Sequence, residues 1–134
     1  MRNNLIWSKA APASWDKRSG MRLFALDDTL EFGQNVALAL GRPLDPHEER
    51  NFEDGEHKAR PLVSVRGQHV CVIQSLHGGP HASANDKLCK LLLFVSALKS
   101  NGAARVTALV PYLAYSRKDR QTKIRDPIAT QRNI

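Results

Sequence analysis

The strongest constraint on the fold is a long amphipathic segment that lies between two short apolar runs. In residues 87–102 the apolar side chains recur at the spacing of one α-helical face: Leu88, Leu91, Leu92, Val95 and Leu98. The flanking runs, residues 69–75 and 104–112, are typical of strands that are covered on both faces. A helix that connects two such strands is the βαβ unit of a parallel sheet, so we predict an α/β fold.

The preceding part of the chain shows the same rhythm. Residues 22–27 form another short apolar run, and residues 28–41 have the composition of a helix that Asp28 or Thr29 caps and Gly41 ends. We therefore predict a sheet of at least three parallel strands with helices beside it. Further on, Asp126 followed by Pro127 predicts the beginning of another helix.

A polar insertion separates the first helix from the second strand. Proline and turn residues alternate there with short polar-apolar stretches, which predicts a projecting β-hairpin at residues 50–65. Within it, Phe52 stands beside Asp54, Gly55 and Glu56. Two interpretations remain open from these residues alone: a solvent-exposed turn with Gly55 at positive φ, or a ligand-binding tip.

The charge of the chain favours an anionic partner. The 134 residues, enough for one domain, carry 20 Lys and Arg against 13 Asp and Glu, a formal net charge of +7. The densest basic run, residues 117–125, follows the strand at 104–110, and ligands of parallel sheets bind beyond the carboxyl ends of strands. With Tyr112 and Tyr115 beside it, this loop is either a polyphosphate site or a solvated basic loop.

Other chemistry is not indicated by the sequence. Cys71 and Cys89 lie in apolar segments, which predicts buried thiols in a reducing compartment. His77 and His81 are four residues apart, but the intervening glycines and proline exclude a helix, so we expect loop histidines and no metal site. The chain has neither an apolar run of membrane-spanning length nor a signal-peptide pattern, and we expect a cytoplasmic protein without a membrane partner.

Taken together, the motifs resemble the N-terminal half of the ribose-phosphate pyrophosphokinase family. The stretches "FEDGE", "VRGQHVCVIQS", "NDKLCKLLLF" and "PYLAYSRKD" follow that family in order and spacing over about residues 21–130. The resemblance implies a phosphoribosyltransferase-like parallel sheet flanked by helices, with the hairpin as an inserted flap. It also implies an enzyme family that uses Mg²⁺ and transfers diphosphate from ATP to ribose 5-phosphate, forming phosphoribosyl pyrophosphate.

The resemblance gives the hairpin a role in recognising ATP. In the family the aromatic residue of this turn stacks on adenine, and the acidic residues bind the polar edge of the base. Carried over, Phe52 is the stacking surface, and Asp54 and Glu56 read the base. Carboxylate acceptors favour the exocyclic amine of adenine over the carbonyl of guanine.

The basic loop is implied to bind the same nucleotide from the opposite side. The residues that carry this role are Arg117, Lys118 and Asp119, and Lys118 stands where the family usually has glutamine. Because the family's flap serves a neighbouring subunit, the resemblance also implies a homo-oligomer.

The same comparison predicts which parts of the reaction the chain lacks. We interpret residues 1–20 as an extension of unknown role and residues 21–134 as the ATP-side domain, truncated at its C-terminus. The family's metal-binding histidine and ribose-phosphate loop would lie beyond Ile134, so we expect no catalytic residue here and no activity from the chain alone. Two alternatives are a catalytically silent nucleotide-binding relative and, less favoured, a basic nucleic-acid-binding module.

Overall fold

A computed structural model describes residues 21–117, 121 and 123–125 of the chain. In chain order the elements are β1 (Met21–Ala25), a 3₁₀ turn (Asp27–Thr29), α1 (Leu30–Leu40), β2 (His47–Asn51), β3 (His57–Pro61), β4 (His69–Ile73), α2 (Ala84–Ser100) and β5 (Arg105–Leu109). The strands β1, β4 and β5 form a parallel sheet in the order β1-β4-β5, while β2 and β3 form a separate antiparallel hairpin. This arrangement confirms the predicted α/β architecture and its inserted hairpin.

Each face of the sheet is covered by one helix because successive strand side chains point to opposite faces. On one face α1 contributes Ala37 to a buried cluster with Leu23, Ala25 and Ile73. On the other face a larger cluster joins the sheet to α2 and includes Phe24, Val70, Val72, Leu91, Phe94 and Leu98. The central strand β4 is therefore covered on both sides, as its continuous apolar run predicts.

The first helix lies unusually close to the first strand. A Cβ atom built on Gly33 of α1 would overlap the Cβ of Ala25 in β1, so this position requires glycine. The helix ends at Gly41 as the sequence predicts, and Gly41 has φ 65°. Thr29 precedes the helix without capping it, because its hydroxyl donates to Gln74 Oε1 at 2.8 Å and accepts the Ser75 N–H at 2.9 Å.

The second helix begins three residues before its predicted start because a capping box extends it. The Ser83 hydroxyl accepts the Asp86 N–H at 3.1 Å, and the Asp86 carboxylate accepts the Ser83 N–H at 2.8 Å. Gly102 follows the last turn with φ 88°. The predicted apolar face is wrong at Leu92, which is 59% exposed, whereas Phe94 is fully buried.

The third strand of the sheet differs from its prediction. The residues of β5 are exposed apart from half-buried Val106, so the expectation of a third buried strand is wrong. Within the described residues β5 pairs only with β4, and its outer edge meets no further strand. The apolar composition of residues 104–112 is therefore not matched by burial.

Smaller predictions have mixed outcomes. Burial raises the pKa of the half-buried Cys71 thiol, but Cys89 is exposed on α2, so the prediction of two buried thiols is wrong for Cys89. Neither described helix combines the length and apolar character needed to cross a bilayer. Residues 1–20 and the helix predicted at Asp126 and Pro127 lie outside the described residues.

Candidate functional site

The tip of the hairpin is shaped by hydrogen bonds between its own residues. Phe52 N–H donates to the Glu56 carbonyl at 2.9 Å, and Gly55 N–H donates to the Phe52 carbonyl at 3.0 Å. Glu56 N–H donates to Asp54 Oδ1 at 3.0 Å, so this carboxylate oxygen also holds the turn. Gly55 has φ 87°, a conformation that side chains other than hydrogen rarely adopt, and the predicted positive φ is confirmed.

This turn presents an aromatic ring together with carboxylates. Phe52 is 39% exposed, and it lines a shallow concavity with Arg50, Asp54 and Glu56. The guanidinium carbon of Arg50 lies 5.1 Å from the centre of the Phe52 ring, which is cation–π geometry. The ring is therefore already a stacking surface for a planar, electron-poor group.

A second concavity lies where the carboxyl ends of β4 and β5 meet the beginning of α2. Its lining residues include His77, Ala84, Tyr112, Tyr115 and Arg117. The His77 and Tyr112 rings contact edge to face at 5.0 Å, and the Tyr115 hydroxyl is hydrogen-bonded to the side chain of Asn85. Since helix N-termini carry partial positive charge, the start of α2 and the Arg117 guanidinium together favour an anion here.

The structure does not bring the predicted residues into one cavity of a single chain. Phe52, Asp54 and Glu56 line the hairpin concavity, whereas Arg117 lines the concavity beside α2. Lys118 and Asp119, the other predicted nucleotide-binding residues, lie outside the described residues. Both surfaces have the chemistry that the sequence predicts. One copy of the described fold, however, does not join them into a single site.

A group of ionisable side chains at the root of the hairpin was not identified from the sequence. We call it the hairpin-root cluster, and its members are Asp27, His47, Glu49 and His57. Glu49 Oε1 accepts the Asp27 N–H at 2.7 Å and lies 2.9 Å from His47 Nε2. His47 Nε2 is 3.5 Å from Asp27 Oδ1, and His57 Nε2 is 3.4 Å from Glu49 Oε2.

Burial and charge shift the pKa values of two members of this cluster, Glu49 and His57. Burial alone would raise the pKa of Glu49, but the bonds from His47 and the Asp27 N–H, with the charges of His47 and His57, lower it overall. Burial lowers the pKa of His57, and the opposing charge of Glu49 does not reverse this. These directions favour the ionised form of Glu49 and make His57 lose its proton more readily than an ordinary histidine does.

The cluster can be predicted from the sequence only when the register of the two hairpin strands is known. His47 and Glu49 are two residues apart in β2 and therefore point to the same face. The hairpin pairs Asn51 with His57, which brings His57 onto that face from β3. The composition of this region indicates a polar insertion, but it does not reveal which residues of the two strands pair.

The fold and the two concavities can be compared with known proteins. A family model for the N-terminal domain of ribose phosphate pyrophosphokinase matches residues 21–133. Ribose-phosphate pyrophosphokinase 1 of Streptococcus pyogenes and that of Streptococcus agalactiae are each 36% identical over 113 residues, 84% of this chain and 34% of theirs. The crystal structure of phosphoribosylpyrophosphate synthetase from Mycobacterium smegmatis matches with a TM-score of 0.77 and 34% identity, covering 84% of this chain and 37% of that one.

These matches define the class of protein. The chain belongs to the ribose-phosphate pyrophosphokinase family, and what it shares with that family is the N-terminal domain. It spans about a third of the length of the curated relatives that it matches. The family resemblance inferred from the motifs is confirmed.

Proposed function

We propose that this chain supplies the ATP-binding part of a ribose-phosphate pyrophosphokinase, which transfers diphosphate from Mg-ATP to ribose 5-phosphate. The observation that carries the proposal is the coincidence of family and geometry. The matched range, residues 21–133, contains both the aromatic-acidic hairpin tip and the Arg117 concavity at the carboxyl end of the sheet. A binding site for a purine nucleotide needs an aromatic ring that stacks on the base and a cationic concavity that binds the phosphates.

The hairpin tip would bind the base. Adenine stacks either on the free side of the Phe52 ring, opposite Arg50, or on the Arg50 side after the guanidinium moves away. The carboxylates of Asp54 and Glu56 accept hydrogen bonds from the exocyclic amine of adenine, which guanine lacks at that position. This arrangement predicts preference for ATP over GTP.

The Arg117 concavity would bind the phosphates. A guanidinium makes two parallel hydrogen bonds with phosphate oxygens, and the nearby N-terminus of α2 adds the favourable end of a helix dipole. Hydrogen bonds hold the surrounding loops in place, since Leu76 N–H donates to the Tyr112 carbonyl at 3.0 Å. Lys118 and Asp119 would add contacts from the same loop.

Magnesium would enter with the nucleotide. Among the residues that the structure describes, those lining the Arg117 concavity include no carboxylate, and Mg²⁺ prefers oxygen ligands at near-octahedral geometry. These side chains therefore do not by themselves provide a Mg²⁺ site. Mg²⁺ bound to the ATP phosphates neutralises charge during the transfer, while the chain's own residues orient the nucleotide.

The separation of the two concavities supports a homo-oligomeric site. A hairpin tip from one copy would face the Arg117 concavity of another, so that one nucleotide contacts both. The ribose 5-phosphate site would be built largely from sequence equivalent to the remaining two thirds of the relatives. We place the reaction in the cytoplasm, where nucleotide precursors are made.

Calorimetric titration of purified residues 1–134 with Mg-ATP and Mg-GTP tests the proposal. We expect ATP to bind at least about tenfold more tightly, the lower range of discrimination by a single set of hydrogen-bonding groups. Equal binding of ATP, GTP and a single-stranded oligonucleotide, with affinity falling steeply as salt rises, would contradict the proposal and favour a nucleic-acid-binding module.

A coupled assay with Mg-ATP and ribose 5-phosphate separates an enzyme component from a silent relative. Residues 1–134 alone should show only background formation of phosphoribosyl pyrophosphate. Addition of the C-terminal part of a family member should restore turnover if the chain is an enzyme component. Nucleotide binding without any restored turnover would instead favour a regulatory relative.

A further inference from the structure

The solvent face of α2 has an apolar centre that lies between an acidic and a basic residue. Its exposed side chains recur at the spacing of one helical face. We call six of them the α2 stripe: Asp86, Cys89, Leu92, Leu93, Ser96 and Lys99. Leu92 is 59% exposed and Leu93 is 44% exposed, so none of the described elements covers these two leucines. Large apolar side chains that lie side by side on a surface indicate contact with another molecule.

The order of the side chains along the α2 stripe is self-complementary. The midpoint of the stripe lies between Leu92 and Leu93, and Asp86 and Lys99 are equally far from this midpoint on opposite sides. A second copy that runs antiparallel, related by a twofold axis at the midpoint, therefore places its Lys99 level with Asp86 of the first copy. Because each copy contributes both charges, the pair of helices has two such contacts.

The charges favour antiparallel over parallel helices. In a parallel pair Asp86 would lie beside Asp86 of the second copy, and Lys99 beside Lys99. The hydrogen bonds of Ser83 lower the pKa of Asp86, so this carboxylate carries its negative charge at neutral pH. Antiparallel helices bring opposite charges together, and they also place the positive end of each helix dipole beside the negative end of the other.

Small side chains allow the two helices to approach each other. Cys89 and Ser96 are also equally far from the midpoint, so Cys89 of one copy lies opposite Ser96 of the other. Helix axes that pack through such a face are about 8–10 Å apart. Leu92 and Leu93 then lie next to their counterparts in the second copy, and their apolar surface is removed from water.

We propose that the α2 stripe binds a second copy of this chain, with the two α2 helices antiparallel. A second copy is the occupant because the stripe contains the complement of each of its own charges. A helix of this length spans only about 25 Å, and stable complexes bury about 1,200–2,000 Å², so we expect a weak dimer. The inference uses no residue of the hairpin tip or of the Arg117 concavity, and it does not depend on the nucleotide-binding role.

Cysteine cross-linking tests the orientation of the helices. Ser96→Cys places a thiol opposite Cys89 of the second copy. Within one helix positions 89 and 96 are about 10 Å apart, which exceeds the Cα separation of about 7 Å that a disulfide can span. Oxidation of Ser96→Cys with copper–phenanthroline should therefore give a covalent dimer. Mass spectrometry should identify a disulfide between Cys89 and the new thiol at position 96.

Two matched controls are the wild type and the double variant Ser96→Cys, Cys89→Ser. In the antiparallel dimer the two Cys89 residues are about 10 Å apart along the helix axes, and so are the two thiols at position 96. Neither control should therefore form a disulfide at these positions. A wild-type dimer linked through Cys89 would indicate parallel helices and overturn the proposal. Absence of the link in Ser96→Cys at every protein concentration would overturn it as well.

A change of charge tests the pairing of Asp86 with Lys99. Lys99→Glu, added to Ser96→Cys, should slow cross-linking at least about threefold at low salt, the scale of two exposed ion pairs, and the difference should shrink as salt rises. Lys58→Glu, at an exposed position of β3, changes the net charge equally and should leave the rate nearly unchanged. Circular dichroism establishes that the variants are folded. Equal rates for Lys99→Glu and Lys58→Glu at low salt would contradict the proposed pairing.

The C-terminal part of a family member is the rival occupant of the α2 stripe. Adding it in excess to the Ser96→Cys protein before oxidation distinguishes the two. Retention of the link between Cys89 and position 96 would support a second copy as the occupant. Loss of the link in its presence would overturn the proposal and assign the stripe to that part.

Discussion

At the scale of single residues, we expect Phe52 to stack on the base of the nucleotide. Phe52→Ala should weaken ATP binding by about 1–3 kcal/mol, the contribution of one base stacked on an aromatic ring. Calorimetry on the complete enzyme, with both the N-terminal and the C-terminal part present, measures this loss of affinity. Phe32→Ala is the matched control, because Phe32 is 44% exposed on α1 and lies in neither concavity. Equal losses in the two variants would remove the base-stacking role.

Arg117 should affect a different part of the same ligand. Arg117→Ala removes the guanidinium that we propose to bind phosphate, so it should weaken ATP binding while leaving adenosine binding nearly unchanged. Phe52→Ala should weaken both. Comparison of the two ligands by calorimetry tests this difference, and a loss of adenosine affinity in Arg117→Ala would contradict the assignment of phosphate to this concavity.

At the scale of elements, Gly33 shows which of two opposing effects is larger. Alanine is favoured over glycine in a helix interior by about 1 kcal/mol. A Cβ at Gly33, however, would overlap that of Ala25, and overpacking of a core costs about 1–3 kcal/mol or more. Gly33→Ala should therefore lower the free energy of unfolding, as measured by urea denaturation.

Two variants check the reason for this loss. Asn35→Ala lies at an exposed position of α1 and should be neutral or stabilising, because only helix propensity changes. Ala25→Gly should restore part of the stability lost in Gly33→Ala. A stabilised Gly33→Ala protein would contradict the close packing of α1 against β1.

The capping box of α2 should give a pH-dependent stability. The hydrogen bonds of Ser83 lower the pKa of Asp86, so the folded state favours the ionised carboxylate. Its contribution is present above the ordinary aspartate pKa of about 3.9 and is lost as the pH falls through the lower folded value. Asp86→Ala should thus reduce the urea midpoint at pH 7, with the difference disappearing at strongly acidic pH.

The control for this prediction is Glu31→Ala. Glu31 is an acidic residue in the first turn of α1, where Thr29 makes no capping bond through its side chain. Its substitution should lower the midpoint less than Asp86→Ala does. A difference between wild type and Asp86→Ala that persists unchanged at low pH would contradict the role of the ionised carboxylate.

Element identity could be predicted from the sequence because periodicity and turn residues are local. For that reason Gly41 ends α1 as predicted, and Gly55 has the predicted positive φ. Burial could not be predicted equally well, since it depends on what lies beside an element: β5 is apolar yet exposed, and Leu92 faces solvent although it fits the helical spacing. The hairpin-root cluster was missed because its histidines meet only through cross-strand register.

At the scale of the whole molecule, we expect association at the outer edge of β5, which pairs with no strand of the described residues. Leu109 is 41% exposed on this strand, and an unpaired apolar edge promotes pairing with other chains. Residues 1–134 should therefore self-associate in sedimentation experiments. Leu109→Lys should increase the monomer fraction, whereas Leu38→Lys, at a residue 56% exposed on α1, should change it less. A monomer at all concentrations would contradict the prediction.

The separation of the hairpin tip from the Arg117 concavity has a genetic consequence. If two copies build one site, a cell that expresses both Phe52→Ala and Arg117→Ala proteins contains some sites with an intact hairpin and an intact groove. Two alleles that are each defective alone would then complement each other. An allele that carries both changes would not be rescued by either single mutant. Its mixture with Phe52→Ala contains no intact hairpin, and its mixture with Arg117→Ala contains no intact groove.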